Sequence, residues 1–313
     1  MHEQLDHGIF CLETGYQRPG TACCYLLVDH GEAAFIETGT AHSVPLLLEA
    51  LAQAGVAREQ VRYVIPTHVH LDHAGGAGAL LQHLPAATLL VHPRGARHLI
   101  DPERLIEGAQ QVYGPERFAE LYGRVVAAPA ERVCEALDHS SWPLGNRHLL
   151  VRDTPGHARH HFCVWDDPSR GWFSGDTFGV AYRELARADE AFMMPTTTPV
   201  QFDPEALIAS IELLMSYDPA NVYLTHFGRI RASRTQADSL REQLGDYQRI
   251  CAPLAGDVDE ERWLQDALGD YTVARLRSFG CTWEDARIRS FLDLDLRLNA
   301  QGLSDWRQRS LRA

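Results

Sequence analysis

The chain has 313 residues, 45% hydrophobic and 23% charged, with a formal charge of −13. That length supports a substantial core, and the acidic balance argues against a sequence-independent nucleic-acid binder, which presents a basic face. All 29 basic residues are arginine, which excludes Schiff-base chemistry and a phosphate-binding Walker lysine. The N-terminus, MHEQLDHGIF, lacks the basic and apolar regions of a signal peptide. No window approaches the roughly 18 apolar residues of a membrane span. Seven cysteines without regular spacing (11, 23, 24, 134, 163, 251 and 281) point to reduced, buried thiols and a cytoplasmic location.

In chain order, Gly8 to Leu12, Ala22 to Asp29 and Ala33 to Glu37 have strand character, separated by Gly/Asp/His turns. Val44 to Ala54 has the pattern of an amphipathic helix ended by Gly55. Val61 to Pro66 is a predicted buried strand, Ala77 to His83 a short helix stopped by Pro85, and Thr88 to His92 a further strand. Residues 95–127 have helical character. Strand grammar returns at Arg147 to Asp153, His161 to Trp165 and Trp172 to Ser174. A helix then follows at Pro204 to Ser216, with Asp203 as its N-cap, and a strand at Val222 to Thr225. Beyond residue 232 the pattern is helical only: Ser233 to Ile250, Asp259 to Ala267, Asp270 to Ser278, Trp283 to Asn299 and Asp305 to Arg312, punctuated by Pro253, Gly256, Gly269, Gly280 and Gly302. The expected architecture is α+β, with two sheets face to face and helices outside. Residues 1–232 form the expected catalytic domain and 233–313 a helical extension, expected to act as a cap or a dimerisation element.

The predicted strand at 61–66 runs into Thr67-His68-Val69-His70-Leu71-Asp72-His73-Ala74-Gly75-Gly76. Three imidazoles and a carboxylate within six positions are ligand types for Zn(II), and they also suit Fe(II) or Mn(II). If the segment is extended, His68, His70 and Asp72 project to one side and His73 to the other, so the loop can feed two adjacent metal positions. Three more ligand-type residues follow apolar strands: His157 in Thr-Pro-Gly-His, Asp176 in Gly-Asp-Thr, and His226 after Thr225. Strand ends are rigid supports on which chemistry is commonly presented.

With these motifs the chain resembles the metallo-β-lactamase-fold hydrolases, in the branch containing glyoxalase II and related thioesterases. The resemblance covers roughly residues 8–230. It implies a four-layer αββα sandwich and two divalent metal ions per chain, with zinc favoured and iron or manganese as alternatives. It also implies ligation of one ion by His68, His70 and His157 and of the other by Asp72, His73 and His226, with Asp176 bridging both. Asp72 and Asp176 are therefore the expected catalytic carboxylates, and the implied reaction is attack of metal-activated water on the carbonyl of a small thioester or ester, with lactones and β-lactams open to the same mechanism. Relatives that hold a single non-haem iron and act as persulfide dioxygenases give an alternative reading. A regulatory protein with a residual thioesterase site gives another.

This chain departs from the family where Glu37-Thr38-Gly39 stands in place of an Asp-Thr-Gly turn. Glu37 could accept from an imidazole N–H of the histidine loop, and His161 fits a structural position four residues beyond His157. His160 has no motif support. Residues 178–202 form a long, partly apolar connection leaving Asp176, the expected wall of a substrate pocket. Phe178, Tyr182, Phe192, Met193 and Met194 are its candidate lining residues, and Tyr182 is also a candidate oxyanion donor. The expected partner is a small-molecule substrate. Neither nucleic acid nor membrane is expected, and a homodimer could form through the C-terminal helices.

Overall fold

A computed structural model describes residues 2–187, 190–197, 199–252 and 259–312. It separates into two compact units, one of residues 1–153, 160–175 and 218–232, the other of 154–159, 176–217 and 233–313.

The first unit holds two mixed sheets. One runs in the order β1 (His2–Gln4), β2 (Ile9–Glu13), β3 (Cys23–Asp29), β4 (Glu32–Ile36), β5 (Val61–Ile65), β6 (Thr88–Val91) and β7 (Val133–Glu135). The other comprises β8 (Ser141–Leu144), β9 (Arg147–Asp153), β10 (Phe162–Asp166), β11 (Gly171–Gly175), β12 (Asn221–Leu224) and β13 (Gly228–Arg231), in reverse chain order from β13 to β8. Alternation along β3 and β4 sorts their side chains between two cores. Cys24, Leu26, Ala33 and Phe35 pack with the surrounding helices α1 (Val44–Gln53), α2 (Leu71–Ala74), α3 (Ala77–Leu81) and α4 (Pro93–Ile100). Cys23, Tyr25, Leu27, Ala34 and Ile36 pack against Leu149, Val151, Phe162, Phe173 and Tyr223 of the second sheet. Burial on both faces explains why these strands read as continuous apolar runs. Helices α5 (Glu103–Tyr113) and α6 (Pro115–Tyr122) contribute to a smaller cluster around Tyr16, Leu71 and Tyr122.

The expected α+β class with paired sheets is present, and each predicted strand lies within a residue or two of an observed one. Strands β1, β7, β8 and β13 lacked a sequence signal because they are three or four residues long and mostly part-exposed. Pro143 also places β8 at a sheet edge, where the missing amide costs nothing. The helical stretch expected over 95–127 is three helices spanning 93–122, divided by Pro102 and Gly114 and ended by Gly123.

Register brings the strand ends of this unit together. β10 is antiparallel to both β9 and β11, and β12 is parallel to β11, so β9, β11 and β12 all end at one sheet edge. Phe162, paired with Asp153 at that edge, donates its amide to the Thr67 carbonyl at 3.0 Å. Cys23 at the start of β3 donates its amide to Thr225 at 2.8 Å. The two sheets are thereby stitched at the edge from which the histidine loop and His226 depart.

The second unit contains helices α7 (Pro204–Met215), α8 (Arg234–Cys251), α9 (Glu260–Phe279), α10 (Asp285–Phe291) and α11 (Asp293–Ser310). Asp203 caps α7 through Ala206 N at 3.0 Å, as its sequence position suggests. Two expected breaks are absent: Gly269 lies inside α9 and Gly302 inside α11. A Cβ on Gly269 would meet the Arg289 guanidinium, so close approach of a neighbouring side chain, rather than chain termination, explains that glycine. Conversely, the helix expected over Trp283 to Asn299 is interrupted at Leu292. Pro253 and Gly256 lie outside the described residues. Among the described residues no helix is long and apolar enough to cross a membrane. All seven cysteines are free; five are buried, whereas Cys134 and Cys281 are partly exposed.

Candidate metal centre

The histidine loop is not extended throughout. Residues 67–70 are irregular, and Leu71–Ala74 form one helical turn behind His70, whose amide-accepting carbonyl bonds Ala74 N at 2.8 Å. The expected strand-like alternation therefore gives way after His70, and Asp72 and His73 are placed by the helical turn. His73 is consequently grouped with Asp72 rather than turned away from it.

In the first unit Asp72, His73 and His226 offer ligand atoms that all lie within 4.8 Å of one another. His73 Nε2 is 3.7 Å and His226 Nε2 is 3.5 Å from Asp72 Oδ2. Each imidazole is fixed from behind. His73 Nδ1 bonds Glu37 Oε1 at 3.0 Å, and His226 Nδ1 bonds the Thr21 carbonyl at 2.8 Å. Neither acceptor can donate, so both rings carry a proton on Nδ1, and Nε2 is the atom each turns to Asp72. The same logic reaches His68. Thr67 Oγ1 gives its one proton to Glu37 Oε1 at 2.6 Å and therefore accepts from His68 Nδ1 at 3.0 Å. His68 Nε2 then faces His70 Nδ1 at 2.7 Å.

Glu37 is the hub of this arrangement. It is buried at the end of β4 with a left-handed φ of 65°. Beyond Thr67 Oγ1 and His73 it accepts from Thr67 N at 3.1 Å and Thr225 Oγ1 at 3.1 Å. One carboxylate thus ties β4, the histidine loop and the end of β12 together. Thr67 and Thr225 were not singled out in the sequence, although each immediately precedes a histidine of the set. Gly175 has a φ of +47°, and a Cβ there would stand 2.4 Å from Thr67 Oγ1 and 2.6 Å from His161 Nε2. The His161 ring stacks on His68 at 4.8 Å between centroids. His160, which had no motif support, is also buried and lies 5.6 Å from the His70 ring and 6.2 Å from the His68 ring, centroid to centroid. On another side, the Tyr16 and Tyr122 hydroxyls are 3.1 Å apart. Burial, and secondarily the Asp72 charge, raises the Tyr16 phenol well above its ordinary value.

In the second unit His157 Nε2 and Asp176 Oδ2 are 3.3 Å apart, and His157 Nδ1 bonds the Thr196 carbonyl at 3.2 Å. This is the same disposition found at His73 and His226, with Nδ1 on an acceptor and Nε2 turned to an aspartate. Phe178, Tyr182, Phe192, Met193 and Met194 are all buried. Phe192 packs on Phe279 and Tyr182 on Phe291, and the Tyr182 hydroxyl donates to Asp295 at 2.7 Å.

The donor chemistry fits a divalent cation of borderline hardness: imidazole nitrogens beside carboxylate oxygens, with His68, His73, His157 and His226 each held at Nδ1 by a hydroxyl, a carboxylate or a carbonyl. A family model for the metallo-beta-lactamase superfamily matches residues 18–226. The chain is 27% identical over 190 residues to metallo-beta-lactamase fold-containing protein ST1585 of Sulfurisphaera tokodaii, covering 59% of this chain and 67% of that one. The crystal structure of ST1585 superposes with a TM-score of 0.67 at 22% identity, covering 96% of this chain and all of that one. Identity to a hydroxyacylglutathione hydrolase of Albidiferax ferrireducens is 26%, covering 70% of this chain and 73% of the relative. To the human acyl-coenzyme A thioesterase MBLAC2 it is 28%, covering 56% and 65%.

Proposed function

Because the chain belongs to the metallo-beta-lactamase superfamily, we propose that it is a dinuclear metal-dependent hydrolase of small thioesters or esters. The observation that carries this reading is the shared disposition of His73, His226 and His157: each commits Nδ1 to a fixed acceptor and directs Nε2 at an aspartate. That is the preparation a metal-ligating imidazole needs. Chain connectivity supports a second ligand set. His157 follows Asp153 by four residues and Asp176 follows Gly175 directly, while β9 and β11 end at the edge that carries the histidine loop.

In this reading His68, His70 and His157 hold one ion, Asp72, His73 and His226 hold the other, and Asp176 is shared. Nitrogen and oxygen donors of this kind favour zinc, with iron and manganese as alternatives. When bound, a pair of divalent ions brings the pKa of water down to about 7 and polarises a substrate carbonyl. The chain's own contribution is placement. Glu37 and Thr67 hold the rings of His73 and His68, while Asp72 would serve as a ligand and, in this reading, also orient the attacking water. Residues 178–202, which leave directly from Asp176, are the proposed wall for the acyl group. Thioesters are the preferred class because relatives with measurable identity include a hydroxyacylglutathione hydrolase and an acyl-coenzyme A thioesterase.

The test is a panel of acyl-CoA and acyl-glutathione thioesters, lactones and β-lactams, assayed anaerobically with metal content measured on the same protein. Thioester turnover without oxygen is expected. Substrate-dependent oxygen consumption by a form holding one iron would overturn the reading.

A further inference from the structure

The His157 side chain is held by a carbonyl, and that carbonyl is itself held. Asn299 lies in α11, buried, at a helix-interior position where asparagine is a poor helix former. Its Oδ1 accepts from Thr197 N at 2.7 Å, and its Nδ2 donates to the Pro195 carbonyl at 3.2 Å. Thr197 Oγ1 returns a bond to the Asn299 backbone carbonyl at 3.0 Å. The residue enclosed by these three contacts is Thr196, whose carbonyl accepts from His157 Nδ1 at 3.2 Å.

The Thr196 carbonyl and the Thr197 N–H belong to one planar trans peptide, which points them in opposite directions. A bond to Asn299 on the N–H side therefore sets the direction of the carbonyl on the other side. The Pro195 contact limits rotation of the preceding peptide as well. An apolar side chain of similar volume would pack in the same place without this control, and a buried amide is costly unless its bonds are made. One turn earlier on α11, Asp295 accepts from Tyr182 at 2.7 Å, so one helix grips the connecting segment at two places.

We propose that Asn299 is a positioning residue for His157, acting through the Thr196–Thr197 peptide to keep Nδ1 protonated and Nε2 available as a ligand atom. The proposal rests on the reading of His157 as a metal ligand. It gives the C-terminal helices a role in building the metal centre that packing alone would not.

The experiment titrates metal-free full-length protein with Zn(II) against a chromophoric chelator, and with Co(II) by absorption. Asn299→Leu should weaken one of the two metal equivalents about tenfold, the lower end for loss of a partner behind a ligating histidine, and should shift the cobalt spectrum. Asn299→Asp keeps an acceptor for Thr197 N and should retain most of the affinity, whereas a purely structural site would tolerate a buried carboxylate no better than leucine. If the leucine variant does not fold, Asn299→Ala deletes the same acceptor and carries the same expectation. In a His157→Ala background the Asn299 substitution should add nothing. Wild-type affinity and cobalt spectrum in Asn299→Leu, or equal losses at both equivalents in the leucine and aspartate variants, would overturn the proposal. If instead His157→Ala alone still binds two equivalents with wild-type affinity, it is the ligand assignment that fails.

Discussion

Glu37 shows how much of this site rests on groups that touch no substrate. Its two oxygens accept four bonds from Thr67, His73 and Thr225. In Glu37→Gln one oxygen becomes an NH2 group facing donors, so at least one buried donor loses its partner. The expected cost is about 1–3 kcal/mol in urea unfolding, with metal affinity weakened about 10–100-fold in a chelator competition. An unchanged affinity would show that the histidine loop holds its own geometry. Gly175→Ala is expected to weaken metal binding too, because the new methyl group would displace Thr67 or His161. The histidines and aspartates were legible because ligand chemistry restricts residue type and the motifs are dense. Thr67, Thr225 and Asn299 were not, since threonine and asparagine are common and their role appears only when distant strands or helices meet.

At the scale of elements, the histidine loop changes conformation midway, extended-like to His70 and helical from Leu71. A two-residue alternation could not anticipate that change, because four ligand-type residues in a row of six carry no helical or strand periodicity. Glycines misled in a similar way: Gly269 reads as a terminator but accommodates Arg289. The sheet-to-sheet tie at Asp29 gives a pH prediction. Burial pushes its carboxyl up, but the Asn146 amide at 2.6 Å, His30 and Arg147 outweigh this and hold it below the ordinary 3.8. With a folded-state pKa below the unfolded one, the contribution is complete above the unfolded value and is lost as pH falls through the folded one. Wild-type protein should therefore lose unfolding free energy more steeply than Asp29→Asn as pH falls below about 4. Parallel urea-stability curves for the two proteins would contradict this.

For the whole molecule, two sheets and their covering helices bring the ends of β5, β9, β11 and β12 to one edge. A bound ion that prefers the folded chain stabilises it by mass action, so chelation should lower the midpoint of thermal unfolding and Zn(II) should restore it, as read by calorimetry. Asp176→Ala should lose both metals or nearly all turnover, since Asp176 is the one ligand assigned to both. The central claim is that two ions act together on a thioester. Its most direct measurement is the anaerobic rate of acyl-thioester hydrolysis by metal-free protein reconstituted with zero, one and two equivalents of zinc. The rate should rise steeply with the second equivalent and then level off. Full activity at one equivalent, or none at two across the acyl-CoA and acyl-glutathione substrates, would contradict it.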